Sequence, residues 1–139
     1  MVLSNEPVTR TSGSLRSAIV GAGFISDFHI RGILFEGAKL VAVCDANLER
    51  ATSLASPYGA TAYRDLEELL GQEEIDVLHV LTPPDLHHPL ARYALERGVN
   101  VFVEKPMCAT AEEAADLVDV ANKNGVAIGI NHSALFTPA

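Results

Sequence analysis

Two glycines head the run Gly21-Ala22-Gly23-Phe24-Ile25-Ser26. Backbone of this kind can wrap a phosphate. Gly21 permits a tight turn, and Gly23, with no Cβ, lets the main chain come close to a pyrophosphate. The third small position of the G-x-G-x-x-G/A pattern is Ser26. Serine still allows close helix–strand packing, and its hydroxyl is free to cap a helix or reach a phosphate. Asp45 lies 22 residues past Gly23, near the ~20 expected of a ribose-binding acid. A carboxylate there accepts hydrogen bonds from ribose hydroxyls and repels a 2′-phosphate. Ala46, Asn47, Leu48 and Glu49 bring no cation to offset that repulsion, which favours NAD over NADP. The plainer readings stay open: a tight turn with no ligand, and an aspartate that caps the next helix.

Two further runs follow apolar segments. The first is Thr82-Pro83-Pro84-Asp85-Leu86-His87-His88, stiffened by its prolines. The second is Glu104-Lys105-Pro106. A lysine at a strand exit can contact a substrate hydroxyl, and partial desolvation would tune its acidity. A Glu104–Lys105 charge pair on the surface explains the same residues equally well.

These residues need elements to position them, and the apolar pattern supplies a βαβα alternation. Strands are predicted at 15–20, 40–44, 60–63, 77–81, 99–103 and 126–130. Helices are predicted at 26–35, 48–58 with a break near Pro57, 66–70, 88–97 and 111–124. Thr110 and Glu113 form a capping-box pattern ahead of the last helix. Near-continuous apolar strands imply burial on both faces, and parallel strands need helical crossovers. The expected fold is therefore a single α/β domain, a doubly wound parallel sheet of the Rossmann type in three layers. In such sheets, ligands bind beyond the carboxyl ends of the strands. The glycine turn, Asp45, the Thr82 run and Lys105 all stand at such ends.

The whole chain, 139 residues and 48% apolar, is large enough for one packed core. A net charge of −8 disfavours nucleic acid and anionic membrane as partners. No run approaches the ~20 apolar residues of a membrane span. Residues 1–14 are polar and lack a signal-peptide centre, and are expected to form a flexible tail of a cytoplasmic protein. In strand order 3-2-1-4-5-6, Cys44 and Cys108 would stand ~14 Å apart, too far to pair, so both are expected to stay reduced.

Taken in order, Gly21-Ala22-Gly23-Phe24-Ile25, His29, Val43-Cys44-Asp45, Thr82-Pro83-Pro84-Asp85-Leu86-His87 and Glu104-Lys105-Pro106 make the chain resemble the N-terminal domain of the glucose–fructose oxidoreductase/inositol dehydrogenase (Gfo/Idh/MocA) family. The resemblance implies hydride transfer between NAD(H) and a carbinol or carbonyl carbon of a sugar, cyclitol or related polyol. It implies that Gly21, Gly23, Phe24 and Ile25 hold the pyrophosphate and Asp45 the ribose. Thr82, Pro83 and His87 would flank the other half of the cofactor, with Glu104 supporting the nicotinamide end. Lys105 would be the catalytic lysine that orients the reacting hydroxyl. His29 is expected to pack and His88 to be solvated.

The family continues into a second domain with the substrate contacts, the general-base histidine and usually the oligomer interface. Residues 15–132 are expected to form the dinucleotide domain and 133–139 the start of that second, absent domain, where Leu135 and Phe136 would be exposed or covered in a dimer. The chain is then expected to bind cofactor and to turn over slowly or not at all. Two functions are compatible with this: the cofactor half of a dehydrogenase, or a non-catalytic NAD-binding or redox-sensing module. A Rossmann-like domain that binds no dinucleotide is a third.

Overall fold

The computed structural model describes residues 13–131. The expected tail up to residue 12, His132 and residues 133–139 lie outside them. Six strands form one parallel sheet: β1 Arg16–Val20, β2 Lys39–Cys44, β3 Thr61–Tyr63, β4 Val77–Val80, β5 Asn100–Glu104 and β6 Ile128–Asn131. Their order is β3-β2-β1-β4-β5-β6, the expected doubly wound arrangement. Five helices make the crossovers: α1 Ser26–Phe35, α2 Leu48–Ala55, α3 Leu66–Gln72, α4 His87–Glu96 and α5 Ala111–Lys123.

Strand alternation sorts the core into two layers. Ala18 and Val20 of β1 pack with Leu69 of α3, Leu95 of α4 and Leu117 of α5. Ile19, between them, packs on the other face with Ile30 and Ile33 of α1 and Ala51 and Ala55 of α2. Successive strand residues point to opposite faces, so an unbroken apolar strand feeds both layers.

Helix starts follow local chemistry. Asn47, Asp65 and Thr110 each accept the N–H three residues on, at Arg50, Glu68 and Glu113. The Thr110 cap is as expected, but the Glu113 carboxylate reaches back to the Ala109 N–H, one residue before the cap. Two more differences are local. The predicted second helix ends at Ala55 and passes into a 3-10 turn, Ser56–Tyr58, around Pro57. A second 3-10 turn, Pro84–Leu86, fills the run after β4, so that α4 begins at His87.

Beyond the edge of α1, the same sheet face carries a groove of about 340 Å³ lined by Phe28, His29, His79 and Phe102. Among the described residues, no helix is long and apolar enough to cross a membrane.

Candidate functional site

The strand order reverses between β1 and β4, and the glycine turn lies at that switch point. Gly21 donates its N–H to the Cys44 carbonyl at 2.8 Å, locking the turn to the β2 exit. Its φ is +101°. A Cβ there would lie 2.7 Å from the Leu81 carbonyl carbon and 2.8 Å from the Thr82 nitrogen. Glycine is therefore demanded by the protein's own packing. Gly23 is different. A Cβ there would meet nothing nearer than the Arg50 guanidinium, at 3.7 Å. The space it leaves open is not filled by protein, as a cradle for a pyrophosphate requires. Among the described residues, the N–H groups of Gly23, Phe24 and Ile25 have no partner. They stand at the amino end of α1, where the helix dipole adds positive potential.

Ser26 does neither of the things expected of it. Its hydroxyl is buried and donates to the Gly23 carbonyl, bracing the turn from inside. The α1 cap position is Ile25, with no side-chain cap. The Phe24 ring is largely exposed and meets Phe28 edge-on, with centroids 5.8 Å apart, so the residue's offer to a phosphate is its amide. Ile25 packs its side chain against the α1–α2 core layer.

Asp45 stands across the turn. Its Oδ2 accepts the Ala22 N–H and its Oδ1 the Asn47 N–H, both at 2.8 Å. It is not the helix cap; Asn47 is. The carboxylate pins the glycine turn to the β2 exit, and each oxygen keeps a lone pair for a ribose hydroxyl. Both flank a cleft of about 540 Å³ that Gly21, Gly23, Thr82 and Pro83 also line. The Thr82 hydroxyl is buried there without a hydrogen-bond partner. An orphaned hydroxyl, free amides and an unfilled glycine cradle fit a dinucleotide.

Two cations on this cleft escaped the sequence reading. Arg50 is the fifth residue after Asp45, just past Ala46–Glu49. The first turn of α2 swings its guanidinium back over the glycine turn, where it donates to the Ala22 carbonyl at 3.3 Å. Arg64, just past β3, lines the same cleft.

The histidines and Glu104 depart furthest from expectation. The His87 ring is buried and does not face the cleft. Its Nδ1 and Nε2 contact the backbone carbonyls of Pro106 and Thr82, each at 2.7 Å. Any influence on a cofactor passes through those two loops. Glu104 turns to the opposite sheet face, where its Oε1 accepts from His29 Nε2 at 2.7 Å and from the Asn131 amide. Partial burial pushes its carboxyl up, but the bonds from His29 and Asn131 outweigh that and hold it below the ordinary range. Glu104 does not line the glycine-turn cleft.

His29 does more than pack, since its Nδ1 also meets His79 Nδ1 at 2.9 Å. Burial, with His29 adding to it, pushes His79 down to about 4, so that ring is neutral near neutral pH. His88 is half-buried rather than solvated, and pairs with Asp116 at 2.8 Å.

Lys105 follows Glu104 on the exposed side of the β5 exit, joined to Pro106 by a cis peptide bond. Among the described residues its ammonium has no carboxylate partner. Since Glu104 is engaged by His29, the surface-pair reading of Lys105 fails. Both cysteines are free, as expected. No group of three or more histidine, cysteine or acidic residues among the described residues could hold a metal.

A parallel sheet with a glycine turn, free amides and the Asp45 carboxylate around one cleft at its switch point defines a dinucleotide-binding Rossmann domain. The Gfo/Idh/MocA family model, described as "Oxidoreductase family, NAD-binding Rossmann fold", matches residues 15–132. The chain belongs to that family and is its NAD-binding domain. It is 38% identical to D-glucoside 3-dehydrogenase of Escherichia coli over 119 residues, 83% of this chain and 34% of that protein. It is 30% identical to UDP-N-acetylglucosamine 3-dehydrogenase of Acidithiobacillus ferrooxidans over 125 residues, 90% of this chain and 39% of that one. Its structure is similar to the Bordetella pertussis WlbA dehydrogenase in complex with NADH and UDP-GlcNAcA, with a TM-score of 0.84 and 32% identity. That match covers 88% of this chain and 36% of the other. The chain spans about a third of the length of the curated relatives it matches.

Proposed function

We propose that this chain is the cofactor half of an NAD-dependent dehydrogenase that oxidises a sugar, cyclitol or related polyol. The observation that carries the reading is the glycine cradle: free amides at the α1 end and an unfilled Gly23 face opening on a cleft flanked by Asp45. The amides of Gly23, Phe24 and Ile25 bind the pyrophosphate, with Arg50 adding positive charge beside them. Asp45 accepts from the ribose hydroxyls and disfavours a 2′-phosphate. NAD, when bound, supplies the hydride acceptor. Lys105, at the β5 exit and without a carboxylate partner among the described residues, donates to the reacting oxygen and orients it. Thr82 and Pro83 wall the cleft between the two. The names of several relatives, among them D-glucoside 3-dehydrogenase, D-apiose dehydrogenase and UDP-N-acetylglucosamine 3-dehydrogenase, favour that substrate class. A second domain supplies the substrate contacts and the base. The two free thiols suit a reducing cytoplasm.

Isothermal calorimetry of the chain with NAD⁺ and NADP⁺ tests this. Tighter binding of NAD⁺ is expected, and Asp45→Ala should bring the two affinities together. Equal or tighter NADP⁺ binding by the unaltered chain would mean that Arg50 and Arg64 outweigh Asp45.

A further inference from the structure

His87 sits where no cofactor can reach it, yet it bridges the two loops that frame the site. Its ring is 1% exposed. Nε2 lies 2.7 Å from the Thr82 carbonyl at the β4 exit, and Nδ1 lies 2.7 Å from the Pro106 carbonyl beyond the β5 exit. A carbonyl oxygen only accepts. Two contacts of this length are both hydrogen bonds only if both ring nitrogens carry hydrogen. A neutral imidazole has one N–H, so its second nitrogen would set a lone pair against a carbonyl lone pair. We infer that His87 is a positioning residue whose doubly protonated ring ties the β4 exit to the β5 exit, fixing Lys105–Pro106 relative to the Thr82–Pro83 wall of the cofactor cleft.

The tie follows from where α4 begins. The 3-10 turn Pro84–Leu86 closes with the Leu86 N–H on the Pro83 carbonyl at 3.0 Å. That compact turn leaves the Thr82 carbonyl to the ring and delivers His87 beneath the loop it came from. The β4–β5 pairing, with Val80 opposite Val103, brings the Pro106 loop alongside.

Burial and the amino end of α4 both oppose a positive ring. Two carbonyl dipoles in line with the N–H bonds favour it. The other chargeable groups on the elements packed around it are Asp85 on the 3-10 turn, His88, Arg92, Tyr93 and Glu96 on α4, Lys105 and Cys108 after β5, and Glu112, Glu113, Asp116, Asp119 and Lys123 on α5, with His79 of β4 and Glu104 of β5 engaged on the other sheet face. Among the described residues none of these bonds to the ring. His88 and Arg92 are held by Asp116. A ring carrying both hydrogens makes both bonds, and a neutral ring makes only one.

The inference rests on the NAD-binding reading only for its second measurement. The first is long-range ¹⁵N NMR of the histidine rings in the unaltered chain, assigned by His87→Gln. Two protonated-type nitrogens are expected for His87 near about pH 6, within the range where imidazole titrates. One unprotonated nitrogen at every pH would overturn the inference. The second is NAD⁺ affinity between about pH 6 and about pH 8.5. Glutamine keeps an N–H donor for one carbonyl and cannot titrate. The unaltered chain should bind about tenfold more tightly than His87→Gln at the low end, the size of one lost bond. That ratio should shrink as pH rises. A ratio constant with pH, whatever its size, would mean packing alone and overturn the inference. Failure of the unaltered chain to bind NAD⁺ would remove the proposed function, while the ring spectrum would still decide this inference.

Discussion

Gly21 and Gly23 are two residues apart in one motif, yet the structure assigns them different work, and two alanine substitutions separate the two roles. At Gly21, φ of +101° penalises any Cβ, a cost of roughly 1–2 kcal/mol. The added methyl would also lie within 2.9 Å of three backbone atoms of Leu81 and Thr82. Those atoms belong to the β4 exit and cannot rotate away, so overpacking adds about 1–3 kcal/mol. Loss of unfolded-state freedom returns about 0.4–1 kcal/mol. Gly21→Ala should therefore destabilise the domain by about 2–4 kcal/mol, a large share of the roughly 5–15 kcal/mol that holds a domain together. With an m-value of about 2 kcal/mol/M, its urea midpoint should fall by about 1–2 M. Gly23→Ala meets only a flexible guanidinium end at 3.7 Å. Its urea midpoint should stay within about 0.3 M of the parent, while NAD⁺ affinity drops at least about tenfold because the methyl occupies the pyrophosphate's approach. A Gly23→Ala protein that unfolds as early as Gly21→Ala, or binds NAD⁺ undiminished, would refute the assignment of that empty space to the cofactor.

Two other expectations follow from the buried groups. His79 is held at about 4 against 6.5 unfolded. The unfolded chain therefore binds the extra proton first, and stability should fall as pH drops from about 6.5 towards 4, by about 3 kcal/mol at most. His79→Phe should flatten that part of the urea-derived stability profile; an unchanged slope would place the titration elsewhere. Cys44 is buried, and burial with the nearby Asp65 and Asp45 pushes its thiol up to about 12. Alkylation of the folded chain near neutral pH should label the half-exposed Cys108 well before Cys44, read by mass spectrometry, and equal labelling would contradict the burial.

The order of elements was legible because each is encoded locally. Apolar runs of four to six residues marked the strands, and 3.6-residue spacing marked the helices. Helix α1 agrees at both ends, and most other boundaries agree within a residue or two. The strand order is that of the doubly wound Rossmann sheet which the βαβα alternation implied. What propensity missed was the 3-10 turn at Pro84–Leu86, since two prolines and an aspartate suit several turn types.

The glycine turn and Asp45 were readable for a similar reason: a strand–turn–helix unit carries its own geometry, and the next strand ends a nearly constant distance on. Lys105 could be located but not interpreted, because its freedom depends on where Glu104 turns. That is set by β5 pairing with β6, Glu104 beside Asn131, and by His29, 75 residues away along the chain. His87 posed the same problem. Its motif position suggested a cofactor contact, yet packing of α4 under two loops made its partners carbonyls of the protein itself. The sequence alone determined which residues reach the carboxyl end of the sheet, because period and spacing are local properties. Only the tertiary structure decided which of them face the cleft and which face one another, because side-chain direction there depends on register between strands far apart in the chain.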